Sequence, residues 1–176
     1  MKAVDLESPR LYFKRLTIDH LSIDYVNWIN DSEVNRYMET RGNYTLEMLS
    51  DFLIENEKKD ICFWAIHLKS DNKHIGNIKI DPIDLTIKSG EYGIMMGDKN
   101  NWGKSYAKEA SIAIINFFFT TRQLNKITLG VIQDNENAVL LYQKIGFEQV
   151  ELKSNYGVYN DKPCNLIRME LVNKNA

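Results

Sequence analysis

Between Gly97 and Ala110 the chain reads GDKNNWGKSYAKEA, a glycine followed later by a second glycine, a lysine and a serine. Residues of these types bind phosphate when their backbone N–H groups wrap an anion. A P-loop places four residues between its first glycine and the Gly-Lys-Ser/Thr end; this stretch has five, Asp98 to Trp102. Another geometry uses the same residues. A strand ending at Gly97 and a helix beginning near Ser105 put the N–H groups of Gly103, Lys104, Ser105, Tyr106 and Ala107 at a helix N-terminus, where first-turn donors lack intrahelical partners and the dipole is positive. Small residues at 103, 105 and 107 let an anion approach, and Lys99, Lys104 and Lys108 add positive charge. Two rivals stand beside this reading. One is a glycine that merely permits a turn next to a solvated lysine face. The other is a P-loop of altered spacing, for which the strand ITLGVIQD, ending in Asp134, offers a magnesium-binding acid; the hairpin-like strands before Gly97 count against it, since a P-loop follows a strand of a parallel sheet.

The elements that must position this turn follow from periodicity. LYFKRL (Leu11 to Leu16) predicts a strand. After the capable caps Thr17 and Asp19, Leu21, Tyr25, Trp28 and Ile29 recur at helical spacing. A second helix is expected after Thr45 with Leu46, Leu49, Phe52 and Leu53 inward. The period then changes to two in CFWAIHL, SDNK supplies a turn, and HIGNIKI returns as a hairpin partner. GEYGIMMG is a third strand whose glycines suggest a bend or a close backbone approach. Ser105 to about Phe119 is a largely apolar helix, KITLGVI a strand, and NENAVLLYQKIGF a helix started by Asn135 and stopped by Gly146. FEQVELK and CNLIRMEL are the final strands. The predicted fold is a mixed α/β (α+β) sheet, strongly twisted, in a single domain over residues 1–176.

Composition narrows the function classes. With 22 Lys and Arg against 24 Asp and Glu, scattered without long runs, no stripe suits a nucleic acid or an anionic membrane surface. Cys62 and Cys164 have no CxxC spacing and read as reduced core thiols. His20, His67 and His74 show no helical metal-ligand spacing, so no metal is expected. The apolar run IAIINFFF is too short to span a bilayer, and the N-terminus MKAVDLESPR lacks a signal-peptide core. A cytoplasmic enzyme or binding domain is the expectation.

Two stretches together point further. WGKSYAKEA resembles the Gly-Lys-Gly-Tyr-Gly/Ala-x-Glu-Ala turn of the GCN5-related N-acetyltransferase (GNAT) superfamily, and NENAVLLYQKIGF resembles its Asn-x-x-Ala-x-x-x-Tyr-x-x-x-Gly-Phe helix. The looser match over most of the chain is similar to the branch that includes the ribosomal-protein N-terminal acetyltransferases. The resemblance implies the GNAT fold: a central sheet of about six to seven strands, helices on both faces, and splayed central strands. It implies acetyl-CoA as cosubstrate, its diphosphate on Gly103 to Ala107 and its pantetheine arm along the backbone at Met95 and Met96. Ser105 departs from the family's usual glycine, keeping the N–H but narrowing the approach with its Cβ.

Acetyl transfer to an amine needs an unprotonated amine, a donor for the developing oxyanion and stabilisation of the departing thiolate. The resemblance implies Tyr142 for the thiolate, with Asn135 seven residues earlier on the same helix face, and a backbone N–H near Met96 for the oxyanion. Glu91 is the expected general base. Arg36, Tyr37, Arg41 and Tyr44 are candidates to line the acceptor site, with Tyr156, Tyr159 and Asp161 behind them. The expected function is transfer of acetyl from acetyl-CoA to a primary amine, on a small molecule such as an amino sugar or polyamine or on a protein N-terminus, by direct attack in a ternary complex. The enzyme would be a monomer or homodimer needing no metal, nucleic acid or membrane. A non-catalytic acyl-CoA sensor and a P-loop-like phosphate-transfer enzyme are the alternatives.

Overall fold

In LYFKR, Leu11 and Phe13 are fully buried while Tyr12 faces solvent, the alternation of a strand with one covered face. A computed structural model gives the fold and describes residues 2–39, 42–159 and 162–174. Its elements are β1 (Leu6–Glu7), β2 (Leu11–Arg15), α1 (Ile23–Asn30), α2 (Leu46–Lys58), β3 (Cys62–Leu68), β4 (His74–Asp84), β5 (Ser89–Met96), α3 (Tyr106–Thr120), β6 (Lys126–Ile132), α4 (Glu136–Ile145), β7 (Glu148–Tyr159) and β8 (Lys162–Val172). Hydrogen-bonded neighbours run β1-β2-β3-β4-β5-β6-β8-β7, a mixed sheet of eight strands. The strand beyond the expected six to seven is β1, which pairs with β2 through Leu6↔Phe13 and Glu7↔Tyr12. Two residues are too few to leave a periodic signal.

The chain divides into two compact units, Met1–Asp81 with Gly93–Ala110, and Pro82–Tyr92 with Ser111–Ala176. In the first, β2, β3 and β4 form an antiparallel meander, with Phe13↔Ile66 and Trp64↔Ile78 in register. Leu16, Tyr25, Val26, Trp28, Ile29, Leu49, Leu53 and Ala65 form one buried cluster. The cap of α1 is Ser22, whose hydroxyl accepts from Tyr25 N at 3.2 Å; Thr17 instead precedes a separate 3-10 turn, Ile18–His20. Thr45 caps α2 as expected, accepting from Met48 N at 3.1 Å. Leu49 and Leu53 are buried, but Leu46 and Phe52 are 41% and 38% exposed, contrary to expectation. At about 100° per residue each lies about 60° from the Leu49 direction, on opposite sides of the stripe.

In the second unit, β6 lies between β5 and β8, parallel to the first and antiparallel to the second. The parallel register contains Ser89↔Lys126, Gly90↔Ile127 and Glu91↔Thr128, three of the eight β5 residues. Tyr92, Tyr142 and Phe147 meet ring to ring, Tyr92 standing edge-on to Tyr142 with centroids 5.7 Å apart. The Tyr92 hydroxyl is 2.6 Å from Ser111 Oγ. Gly146 ends α4 in the left-handed region at φ 110°, the role its position predicts.

Candidate active site

The turn between β5 and α3 is held from several sides within the first unit. Gly97 lies against Trp28, and any Cβ there would overlap the indole ring. The Asp98 carboxylate, 5% exposed, accepts from Asn100 N and Asn101 Nδ2, each at 3.0 Å, and pairs with Lys73 Nζ at 2.7 Å. Burial alone would raise its pKa; the Lys73 ammonium and these donors outweigh burial and hold it below the usual carboxylate range. A 3-10 turn, Lys99–Asn101, follows, and Trp102 Nε1 donates to Met96 O at 2.9 Å. Gly103 at φ 74° and Ser105 at φ 64° then bend the backbone through the left-handed region before α3 begins at Tyr106. A Cβ on Gly103 would meet no described atom within 4 Å, so at this position it is the positive φ, not crowding, that favours glycine.

The start of α3 is tied to the β1–β2 turn. Glu109 accepts from Ser8 Oγ at 2.7 Å, Arg10 N at 2.8 Å and Arg10 Nε at 2.6 Å. Arg10 Nη1 donates to Lys104 O at 3.1 Å, and its guanidinium lies 4.4 Å over the Tyr106 ring. Donors surrounding Glu109 outweigh its burial and keep its pKa below the ordinary value. The surrounding lysines are less available than their number suggested. Lys99 Nζ pairs with Asp31 at 2.7 Å and Glu33 at 3.3 Å, and Lys104 Nζ donates to Asn101 Oδ1 at 3.2 Å. Anion binding at this turn therefore leans on backbone N–H groups more than on ammonium charge.

The second unit holds Glu91, Asn135 and Tyr142. Asn135 stands at the N-cap of α4 yet makes no capping bond with its side chain, unusual for a residue that caps well. Tyr142 is 8% exposed, and burial pushes its phenol up to about 12. Glu91, the expected general base, is ion-paired with Arg168. Its carboxylate oxygens accept from Arg168 Nη1 at 2.6 Å and Nη2 at 2.7 Å, and from Thr128 Oγ1 at 2.6 Å. Both carboxylate oxygens, where a general base would accept its proton, are thus already bonded to donors.

The acceptor candidates are placed unevenly. Tyr44 is half-buried and clamped, its N–H donating to Asn30 Oδ1 and its carbonyl accepting from Asn30 Nδ2, each at 2.8 Å. Arg36 is exposed and Tyr37 half-buried. Arg41, Asp161 and the Tyr159 side chain lie outside the described residues, and Tyr156 is 51% exposed. Sequence reasoning missed Arg10 and Arg168. Arg168 left one signal, a lone cation inside the apolar strand CNLIRMEL, which calls for a partner; Arg10 left none. The three histidines, far apart in sequence, gather in the first unit with His67 stacked on His74 at 5.1 Å and His20 edge-on to both at 5.3 Å. Among the described residues, no three His, Cys, Asp or Glu side chains are placed to hold a metal.

Residues 10–148 match the acetyltransferase (GNAT) domain family. The chain belongs to that family and is an acyltransferase. N-acetyltransferase p20 of Bacillus licheniformis, itself uncharacterized, is 26% identical over 157 residues, 83% of this chain and 86% of its own. Two solved structures share the fold. Ribosomal-protein-S5-alanine acetyltransferase from Vibrio fischeri gives a TM-score of 0.82 at 18% identity over 97% of both chains. Spermidine N-acetyltransferase from Vibrio cholerae, in complex with CoA and spermine, gives 0.84 at 20% identity over 94% of this chain and 97% of that one. At these identities the two structures show the shared fold, and membership of the acetyltransferase family sets aside the P-loop reading of the glycine turn.

Proposed function

We propose that this enzyme transfers acetyl from acetyl-CoA to a primary amine, of a small molecule or a protein N-terminus, by direct attack in a ternary complex. The observation carrying the proposal is the double left-handed bend at Gly103 and Ser105 ahead of α3, braced by Arg10 and Glu109. A turn of that shape offers consecutive N–H groups to a diphosphate at the positive end of a helix. In this reading Gly103, Lys104, Ser105, Tyr106 and Ala107 bind the diphosphate, and the backbone at Met95 and Met96 carries the pantetheine arm. Asn135, whose amide does no capping, contributes a polar contact to the same ligand.

Bound acetyl-CoA supplies the activated acyl thioester. The N–H near Met96 faces the developing oxyanion, and the Tyr142 hydroxyl faces the departing sulfur. Proton transfer from a phenol at about 12 to a thiolate near 8.5 is uphill by about 5 kcal/mol. Tyr142 therefore acts by hydrogen bonding and keeps its proton, the sulfur leaves as thiolate, and the proton shed by the acylated amine passes to water. Arg36, Tyr37, Arg41 and Tyr44 belong to the amine side. The test is a thiol-release screen with acetyl-CoA over peptide N-termini, polyamines, amino sugars and aminoglycosides. Turnover with one class assigns the acceptor. Binding of acetyl-CoA with background thiol release across the panel identifies a sensor instead.

A further inference from the structure

Glu91 is the β5 residue in register with Thr128 of β6. On the other side of β6, Arg168 is the β8 partner of Gly130, not of Thr128. Its guanidinium therefore crosses β6 diagonally to reach Glu91. Gly130 leaves room for the crossing, since a Cβ there would stand 3.1 Å from Arg168 Nη1. Two N–H to O bonds of 2.6 and 2.7 Å result, with the Thr128 hydroxyl donating a third at 2.6 Å. Such a fork fixes orientation as well as distance, which a lysine ammonium does not. The pair spans three strands at Glu91, the last β5 residue in the β6 register, and β5 continues from there to Met96.

We infer that the Glu91–Arg168 pair, seated over Gly130, is a positioning device: it anchors β5 at Glu91 and so orders the β5 backbone that follows for the acyl donor. The second half rests on the acetyl-CoA reading above. Neither side chain moves a proton of the reaction. Each acts through the strand that it holds, and a Cβ at position 130 would press on the guanidinium.

Two measurements separate this inference from the reading on which it rests. Amide hydrogen exchange on the full chain needs no ligand. Arg168→Gln and Gly130→Ala should speed exchange from Tyr92 to Met96 on the order of tenfold while leaving β2 and β3 unchanged. Unchanged exchange along β5 overturns the positioning role whether or not CoA binds. Calorimetry of the wild type with CoA tests the reading alone, and no binding removes only the acyl-donor half of the inference. Steady-state kinetics then join the two. Glu91→Gln and Arg168→Gln should each raise KM for acetyl-CoA on the order of tenfold with kcat and amine KM nearly unchanged, and the double variant should be no worse than either single one. Gly130→Ala, which removes no charge and so guards against loss of fold, should shift the same KM in the same direction by less. Activity lost at low pH in Glu91→Gln alone, with wild-type KM in Arg168→Gln, would restore Glu91 as a base and overturn the inference.

Discussion

Ser105 holds φ at 64°, in a region where a Cβ meets the backbone and a non-glycine residue costs roughly 1–2 kcal/mol. The one hint of that strain in the sequence is that Ser105 stands where the resembled motif has glycine; serine is otherwise an ordinary residue at a helix start. Ser105→Gly should stabilise the protein by up to about 1 kcal/mol, less than the relieved strain because glycine also gains freedom in the unfolded chain. A denaturant midpoint shift of the opposite sign would mean that the hydroxyl makes a bond worth more than the strain. Removing the Cβ should also leave CoA binding equal or tighter by calorimetry. Tyr142 offers the complementary test. Tyr142→Phe keeps the ring that packs on Tyr92 and Phe147 and removes only the hydroxyl. Since a hydrogen bond to a charged group contributes about 1.5–3 kcal/mol, kcat should fall roughly 10- to 100-fold while KM for acetyl-CoA stays nearly constant. Unchanged kcat would take Tyr142 out of the mechanism.

At the scale of elements, the β1–β2 turn is the buttress of the phosphate turn. Its two anchors are Ser8 and Arg10, which hold Glu109 one helical turn into α3 while Arg10 also binds the Lys104 carbonyl. Arg10→Ala should therefore act on the donor side of the reaction, raising KM for acetyl-CoA several-fold with little change in the amine KM. Its effect on stability should stay within about 1 kcal/mol, since the Arg10 side chain is 47% exposed and solvent screens such pairs. Equal losses in both KM values would show that Arg10 supports the fold generally. The motif KEA contains Glu109, yet its partner lies 99 positions away. No local pattern marks a hydrogen bond across that separation.

Across the molecule, the three histidines set a pH limit. His74 is packed by His20, His67, Tyr25 and Trp28, with Nε2 donating to Asn77 Oδ1 at 2.9 Å and Gly76 O at 3.0 Å. Burial pushes its pKa down to about 4 from an ordinary 6.5, against the bond to Asn77, and the other two rings are lowered by burial as well. Lys14 adds like charge to His20 and His67, and Asp19 opposes it only at His20. A histidine held neutral when folded binds fewer protons than the unfolded chain below pH 6.5. Its stabilisation is thus complete above the unfolded pKa and is lost as pH falls from about 6.5 to about 4, on the order of 3 kcal/mol from His74 alone. Denaturant midpoints measured across that window should fall with pH, and His74→Gln should flatten the slope. An unchanged slope in that variant would assign acid sensitivity to carboxylates elsewhere.

The strand and helix order was legible in the residues. Alternation in LYFKR and CFWAIHL, the Thr45 cap, and Asn135 with Gly146 around α4 are local signals whose physics acts over a few residues, and each element formed where its pattern lay. The glycine turn was legible too, as a backbone shape that small residues permit. Burial at the margin of a stripe, as for Leu46 and Phe52, depended on what packed above it. The partners of charged groups were decided only by folding: Glu91 reads as a free acid until Arg168 arrives from 77 positions away, and the histidines read as unrelated until β3, β4 and the 3-10 turn Ile18–His20 bring them together. Local periodicity is written in neighbouring residues. Ion pairs and buried rings are settled by which strands lie side by side.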